Sequence, residues 1–167
     1  ATKRVITENM DLDPAFYEKF SKLIQQAIDE FRAKRLSDLE YLNKVIDIRN
    51  KVVSKQHDDV PEELHGNEEA MAYYGVIFPL LQEVKGDIDL VQVASKIAID
   101  MQIIFIASAY KVQFWDDMDA QKTVMNAIDD YLFDEVKDKQ GVPLSVEMMD
   151  QIIEKVMSIA RFRSQRQ

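Results

Sequence analysis

The sequence predicts an all-α protein: a single helical domain of about five to six helices packed around one central apolar helix. Two observations lead to this prediction. Gly and Pro number only four each among 167 residues, which favours long elements with few tight turns. Apolar residues recur at intervals of three and four through most of the chain, the spacing that gives an α-helix one apolar face.

The central helix is predicted over about 90–111. Strongly polar residues between positions 97 and 110 are limited to Asp100, Gln102 and Ser108. A segment without a polar face must be surrounded by protein, and about twenty residues without Gly or Pro favour a helix. A buried strand is the alternative, because the run Ile103–Ala107 alone has strand length. A carboxylate inside this helix needs a partner, which Lys96 is predicted to supply to Asp100.

Two helices are predicted before this point. Asp13-Pro14 has the pattern of an N-cap followed by proline at the first helical position, and Phe16 begins an apolar stripe. Ser37 and Glu40 have the spacing of a capping box and start the second helix. One kinked helix is the alternative. The residues expected to face inward from the second helix are Leu39, Leu42, Val45, Ile46, Val52 and Val53.

The remaining elements are predicted from caps and breakers. A linker over 56–66 leads to a helix that opens near Asn67, and Pro79 should kink or end that helix near Phe78. Lys85-Gly86-Asp87 should close this element and cap the central helix. Asp116 or Asp117 then caps a fifth helix, Gly141-Val-Pro143 stops it, and Ser145 caps the last.

The predicted domain spans 13–163, between a polar lead-in over 1–12 and a polar tail over 164–167. Trp115, the only tryptophan, is expected to fill the core rather than to be an exposed contact. The predicted core residues are Ile97, Met101, Ile104, Phe105, Trp115, Ile128, Ile152 and Val156.

Composition excludes several classes of protein. Without cysteine, the chain has neither a disulfide framework nor a thiolate metal site. Its longest apolar run, Ile103–Ala107, is short of the roughly 20 residues that span a bilayer, and residues 1–10 lack the apolar core of a signal peptide. Because the chain starts at Ala1 on a polar segment, we expect a piece cut from a longer polypeptide.

Motifs for nucleotide or metal chemistry are absent or incomplete. The four glycines are isolated and none precedes a lysine, so no phosphate-binding P-loop is present. Glu62-x-x-His65 has the spacing of half a di-iron motif, but that site needs two such pairs and the only other histidine is His57. Glu135-Val-Lys137 resembles part of a metal-dependent nuclease site, yet residues two apart on a helix point in different directions. We therefore expect no catalytic residue, no metal site and no cofactor.

Charge is the remaining functional signal. Residues 14–56 hold nine basic and six acidic residues, whereas residues 116–150 hold three basic and ten acidic. Two helical layers of opposite charge suit docking on charged partners, although two ordinary solvated faces explain the charge equally well. The candidate docking surface comprises Asp117, Asp119, Asp129, Asp130, Asp134 and Glu135. The candidate basic face comprises Lys34, Arg35, Lys44, Arg49, Lys51 and Lys55.

Four segments carry a family resemblance by their order and spacing. They are Asp13–Leu23, Arg35–Leu42, Val60–Gly75 and Phe114–Asp134, the last followed by Pro143–Lys155. Together they resemble the C-terminal helical region of the R subunit of type I restriction–modification enzymes. The resemblance covers roughly residues 13–163, and no single motif within it is invariant chemistry.

The resemblance implies a non-catalytic assembly domain. In this family the R subunit is a type I site-specific deoxyribonuclease that translocates DNA with ATP, in host defence against foreign DNA. ATP and Mg²⁺ would then belong to upstream domains, and this domain would dock the motor onto the methyltransferase core. The expected partners are the M and S subunits and the upstream motor domain, with DNA left open through the parent complex, no membrane, and a prokaryotic cytoplasmic location.

Two alternatives stay open from the sequence. One is a DNA-contacting helical module of the same complex, in which the basic face tracks the phosphate backbone and binding weakens steeply with salt. The other is a free-standing helical adaptor unrelated to restriction.

Overall fold

The structure, a computed structural model, describes residues 1–166 and is all-helical over that range, as the sequence predicts. No β-strand occurs in these residues, so the strand alternative for the central segment is wrong. The helices form two compact units, Ala1–Asp59 and the residues from Val60 onward, which we call the N-terminal and C-terminal units. Over 1–166 the α-helices are α1 (Thr2–Asn9), α2 (Pro14–Arg32), α3 (Asp38–Val53), α4 (Glu68–Leu81), α5 (Leu90–Ser108), α6 (Met118–Tyr131) and α7 (Val146–Gln165).

The predicted helix starts of the N-terminal unit are confirmed. The Asp13 carboxylate accepts a hydrogen bond from the backbone N of Phe16 at 3.2 Å, with Pro14 at the first helical position. Ser37 and Glu40 form a reciprocal capping box, with distances of 3.2 and 2.8 Å. Two separate helices form instead of one kinked helix, because the turn between them contains Lys34 in a left-handed conformation (φ 58°).

The N-terminal unit has a core of its own, which differs from the single core predicted from the sequence. Residues 1–12, expected to be a polar lead-in, instead form α1 and a 3₁₀ turn, and α1 buries Ile6 against this core. Because α1 and α3 cover the apolar stripe of α2, the stripe does not need the central helix. The structure therefore divides the single domain predicted over 13–163. The buried residues of this core are Ile6, Phe16, Tyr17, Phe20, Ile24, Ile48 and Val52.

The inward face predicted for α3 is largely wrong. Leu39, Leu42 and Ile46 are exposed, as is Val53, while Ile48 and Val52 are buried. Helix α3 has two apolar stripes at helical spacing, one through Leu39, Leu42 and Ile46, and one through Tyr41, Val45, Ile48 and Val52. Periodicity cannot decide which of two such stripes meets a neighbouring helix.

The C-terminal unit is built on the pair α4 and α5, with α7 also packed against α4. Asn67 caps α4, as predicted, accepting from the backbone N of Ala70 at 3.1 Å. The helix continues through Pro79 to Leu81 rather than ending near Phe78, because Pro79 lies on the exposed side and the next helical bond, from Gln82 N to Phe78 O, is still made at 3.2 Å. Asp89, not the Lys85–Asp87 turn, caps α5.

The predicted core is confirmed at six of its eight positions. Ile104 and Trp115 are only half-buried at the edge of the cluster. The prediction that Trp115 fills the core therefore holds in part. The six core positions with at most 1% of their surface exposed are Ile97, Met101, Phe105, Ile128, Ile152 and Val156.

Helix α5 is not surrounded by protein on all sides, contrary to the prediction. Ile103 and Ile106 are 59% and 54% exposed, and the helix ends at Ser108 rather than near residue 111. By length and composition α5 could cross a membrane, a feature also found in core helices of soluble proteins. The predicted pairing of Lys96 with Asp100 is confirmed at 2.9 Å, and the Tyr131 hydroxyl also donates to Asp100 at 2.5 Å.

The last two helices lie side by side. Asp117 caps α6 by accepting from two backbone N atoms at 3.0 Å, and the helix continues as a π-helical segment, Leu132–Lys139. The chain leaves this segment near Gly141, which has a left-handed φ of 69°, and Ser145 caps α7 as predicted. Only the six residues 140–145 connect the π-helical segment to α7, and α7 returns antiparallel to α6.

Candidate functional site: a groove between α6 and α7

The C-terminal unit has an open groove between α6 and α7, with a volume of about 750 Å³. Helix α6 lines it with Gln121, Met125, Asn126 and Asp129. Helix α7 lines it with Asp150, Ile153, Glu154, Met157, Ser158 and Arg161. Each set repeats along its helix every three or four residues, with one adjacent pair on α6 and two on α7, so each helix presents one face to the groove.

The floor of the groove is apolar. We use this name for the four apolar side chains that line it, Met125, Ile153, Met157 and Trp115. Trp115 is held by an edge-to-face contact with the buried ring of Phe114, at 4.8 Å between ring centroids. Its indole Nε1 is buried and has no hydrogen-bond partner among the residues that the structure describes. Methionine side chains adapt their shape readily, so this floor can accommodate different apolar side chains.

The walls of the groove are acidic. Asp129, Asp150 and Glu154 line it together with one cation, Arg161. None of the three carboxylates forms an ion pair with any residue in the described range 1–166. The site therefore has free negative charge above an apolar floor, an arrangement that attracts a cationic and amphipathic partner.

The charge of the whole chain is concentrated in the unit that carries this groove. Residues 1–59 hold eleven basic and eleven acidic residues, whereas residues 60–167 hold ten basic and nineteen acidic. The net charge of −9 thus belongs entirely to the C-terminal unit. This surplus adds a long-range attraction for cations to the local charge of the groove.

The six residues of the candidate docking surface predicted from the sequence do not lie on one surface of the structure. Of its six residues, Asp129 alone lines the groove. Asp117 is occupied as the cap of α6, and Glu135 forms an ion pair with Lys139 at 2.6 Å. Asp119 and Asp130 are exposed on α6 about 80–100° around the helix from Asp129. Asp134 is exposed in the π-helical segment.

The candidate basic face is not one continuous surface. Lys44 pairs with Glu30 at 2.8 Å and Lys51 with Asp47 at 3.3 Å, so both charges are locally compensated. Arg49 lies about 140° around α3 from Lys44. Lys34 and Arg35 lie in the turn that precedes α3, and Lys55 follows the end of α3.

The residues of the incomplete di-iron and nuclease motifs lie in or beside a 3₁₀ turn and in the π-helical segment. Glu62 lies in a 3₁₀ turn, Glu62–Leu64, and the ring of His65 is hydrogen-bonded to Val60 O at 3.0 Å. Glu135 and Lys137 lie in the π-helical segment. Within residues 1–166 there is no group of three or more His, Cys, Asp or Glu side chains positioned to hold a metal ion.

The α7 half of the groove is not among the site residues predicted from the sequence. Asp150, Glu154, Met157 and Arg161 recur at intervals of three and four on the side of α7 away from its buried stripe. That spacing is visible in the sequence, but it marks only a polar helix face. The groove exists because this face lies beside Met125 and Asp129 of the antiparallel α6.

Comparisons with protein-family models, with curated proteins and with solved structures found no match. The family resemblance of the four sequence segments therefore stays a prediction.

Proposed function

We propose that this chain is a non-catalytic helical docking domain that binds another protein through the groove between α6 and α7. Following the resemblance described above, we assign it to the end of the R subunit of a type I restriction enzyme. Its role is to attach the DNA-translocating and DNA-cleaving subunit to the methyltransferase core of M and S subunits.

The observation that carries the proposal is the groove itself. Its floor is Met125, Met157, Ile153 and Trp115, and aromatic and methionine side chains are enriched at protein–protein contacts. Its unpaired carboxylates can guide a cationic partner without first breaking an internal ion pair. The divided basic face gives weaker support to the DNA-contacting alternative, since two of its six cations already have carboxylate partners.

The test is assembly with a purified methyltransferase core of a type I system. We expect the 167-residue chain to co-migrate with the core in sedimentation velocity, and not with a short DNA duplex at the same salt concentration. Replacing Asp129 and Asp130 by Lys should slow association with the core, with a larger effect at low salt, where screening is weak.

Charge reversal of Lys44 and Arg49 to Glu is the control for the DNA-contacting alternative. It should leave association with the core unchanged. If the core is not bound, and binding to DNA alone is abolished by this control, the DNA-contacting module replaces the docking domain. If the chain binds neither the methyltransferase core nor DNA, the free-standing adaptor describes it better.

A further inference from the structure

We infer that the occupant of the groove is a basic amphipathic helix of the partner protein, lying parallel to α7. This inference rests on the proposed docking function and names the chemistry and direction of the bound segment. It follows from the shape of the groove, the nature of its floor and the distribution of charge along its length.

The shape of the groove fits a helix better than an extended peptide. Extended peptides bind either by adding a strand to an exposed sheet edge or, as polyproline segments, in aromatic-lined grooves. No strand occurs within residues 1–166, and Trp115 is the one aromatic residue that lines this groove. The groove walls are helices, whose backbone groups are already hydrogen-bonded internally, so recognition depends on side chains. From Asp150 to Arg161 the groove extends along α7 for about 16 Å, the length of three helical turns.

The floor of the groove fits the apolar stripe of such a helix. Anchors at positions i, i+3 or i+4, and i+7 span about 10 Å, which fits within the length of about 16 Å over which the groove extends along α7. The groove volume of about 750 Å³ leaves space for a few anchor side chains. The two methionines can adapt to the shape of those anchors.

The charge of the groove selects a cation and gives the bound helix a direction. Asp150 and Glu154 lie on successive turns in the first half of α7, so these two carboxylates belong to one end of the groove. Arg161 lies toward the other end. The N-terminus of a helix carries partial positive charge and its C-terminus partial negative charge. The favoured orientation therefore places the N-terminus and basic residues of the occupant near Asp150, and its C-terminus near Arg161.

Anionic ligands are poor candidates for this groove. A phosphate or a nucleotide would face three unpaired carboxylates against a single guanidinium. The unit as a whole carries nine more acidic than basic residues, which repels anions further.

Trp115 provides the readout for a direct test, since it is the only tryptophan and lines the groove. The probes are synthetic 18-residue peptides without tryptophan, with leucines at i, i+3, i+4 and i+7 and polar residues elsewhere. One peptide carries its lysines in the N-terminal half, and a second of equal composition carries them in the C-terminal half. A third replaces every lysine by glutamate. We expect a saturable change in Trp115 fluorescence with the first peptide, weaker binding of the second, and none of the third.

Matched variants of the 167-residue chain separate groove binding from general attraction. Asp150→Asn with Glu154→Gln removes two carboxylates from the groove, and Asp130→Asn with Asp134→Asn removes two exposed carboxylates outside it. All four positions are exposed, so neither pair disturbs the core. The Asp150→Asn, Glu154→Gln variant should bind the first peptide with an affinity about fivefold to thirtyfold lower. The Asp130→Asn, Asp134→Asn variant should lose less than about threefold.

Four outcomes overturn the inference. They are no binding of the first peptide by calorimetry, equal binding of the glutamate peptide, equal weakening by the two variant pairs, and binding that leaves Trp115 fluorescence unchanged. Equal affinity of the first two peptides overturns the assigned direction alone. If the peptides fail while the methyltransferase core is still bound, docking stands and the helical occupant is wrong. If the peptides bind as expected and the methyltransferase core does not, the groove binds a basic amphipathic helix but the assignment to a restriction enzyme is wrong.

Discussion

The two sides of α5 provide a matched test of the fold, because the same substitution can be made at a buried and at an exposed isoleucine. Ile97 has no exposed surface, whereas Ile103, six residues further along the same helix, is 59% exposed. The sequence alone predicts that both face protein. The structure instead predicts a large difference between Ile97→Ala and Ile103→Ala.

The expected difference can be worked from burial. Each substitution removes three carbons, worth roughly 0.8 kcal/mol each when fully buried. At Ile97 a cavity adds to this loss, so the cost should be about 2–5 kcal/mol. At Ile103 only about two-fifths of the side chain is buried, so removing the three carbons should cost roughly 1 kcal/mol, and no closed cavity forms. The better helix propensity of alanine offsets up to about 0.5 kcal/mol there, which leaves a net cost near 0.5 kcal/mol.

Urea unfolding monitored by Trp115 fluorescence measures this difference in the C-terminal unit, which contains both isoleucines and the only tryptophan. With an m-value of about 1–3 kcal/mol/M, the two variants should differ in midpoint by roughly 0.5 M or more. If Ile97→Ala does not fold, Ile97→Val should still cost about 0.5–1.5 kcal/mol. Costs that agree within about 1 kcal/mol for the two alanine variants would refute the assigned faces of α5.

Two further predictions concern the N-terminal unit and alkaline pH. On α3, replacing the exposed Leu42 in Leu42→Gln should change the free energy of unfolding by no more than about 0.5 kcal/mol. Replacing the buried Val52 in Val52→Ala should lower it by roughly 1.5–3 kcal/mol. Hydrogen exchange of the α3 amides measures both changes, and equal effects would contradict the assigned face. Burial, followed by the hydrogen bond to Asp100, raises the pKa of Tyr131 well above its usual value. Its contribution to stability should be complete below about pH 10 and decline as the pH rises further. Tyr131→Phe should make that decline shallower in urea unfolding at pH 8 to 11, with Tyr110→Phe as the exposed control.

Local signals were enough to place most helix starts. Asp13, Ser37 and Ser145 each cap a helix with a side-chain hydrogen bond, as their residue types and positions predict. Helix α4 begins after Asn67, where a helix is predicted to open, and of the two predicted candidates Asp116 and Asp117 it is Asp117 that caps α6. Caps can be predicted because the interacting groups lie within three residues of one another. The first helix was missed because residues 1–12 are largely polar and bury only Ile6.

The choice of buried face could not be predicted in the same way. Helix α3 has two apolar stripes and α5 is apolar nearly all round, so either side could have met a neighbouring helix. In α3 the choice depends on contact with α1 and α2, and in α5 it depends mainly on α4. These contacts join residues that are distant in the chain. The division into two units depends on long-range packing as well, because residues 1–59 form a separate core.

The groove shows how charge along the sequence differs from charge in a folded site. Counting residues 116–150 finds an acidic segment but groups Asp129 with Asp119 and Asp130, which lie on another side of α6. The structure instead groups Asp129 with Asp150 and Glu154, which are 21 and 25 residues away in the chain. The antiparallel return of α7 brings these carboxylates to the same groove and leaves Arg161 toward its other end. A partner that follows this distribution must carry its positive charge at one end of a short apolar stripe. That requirement distinguishes a specific docking groove from an acidic surface, which would attract any cation.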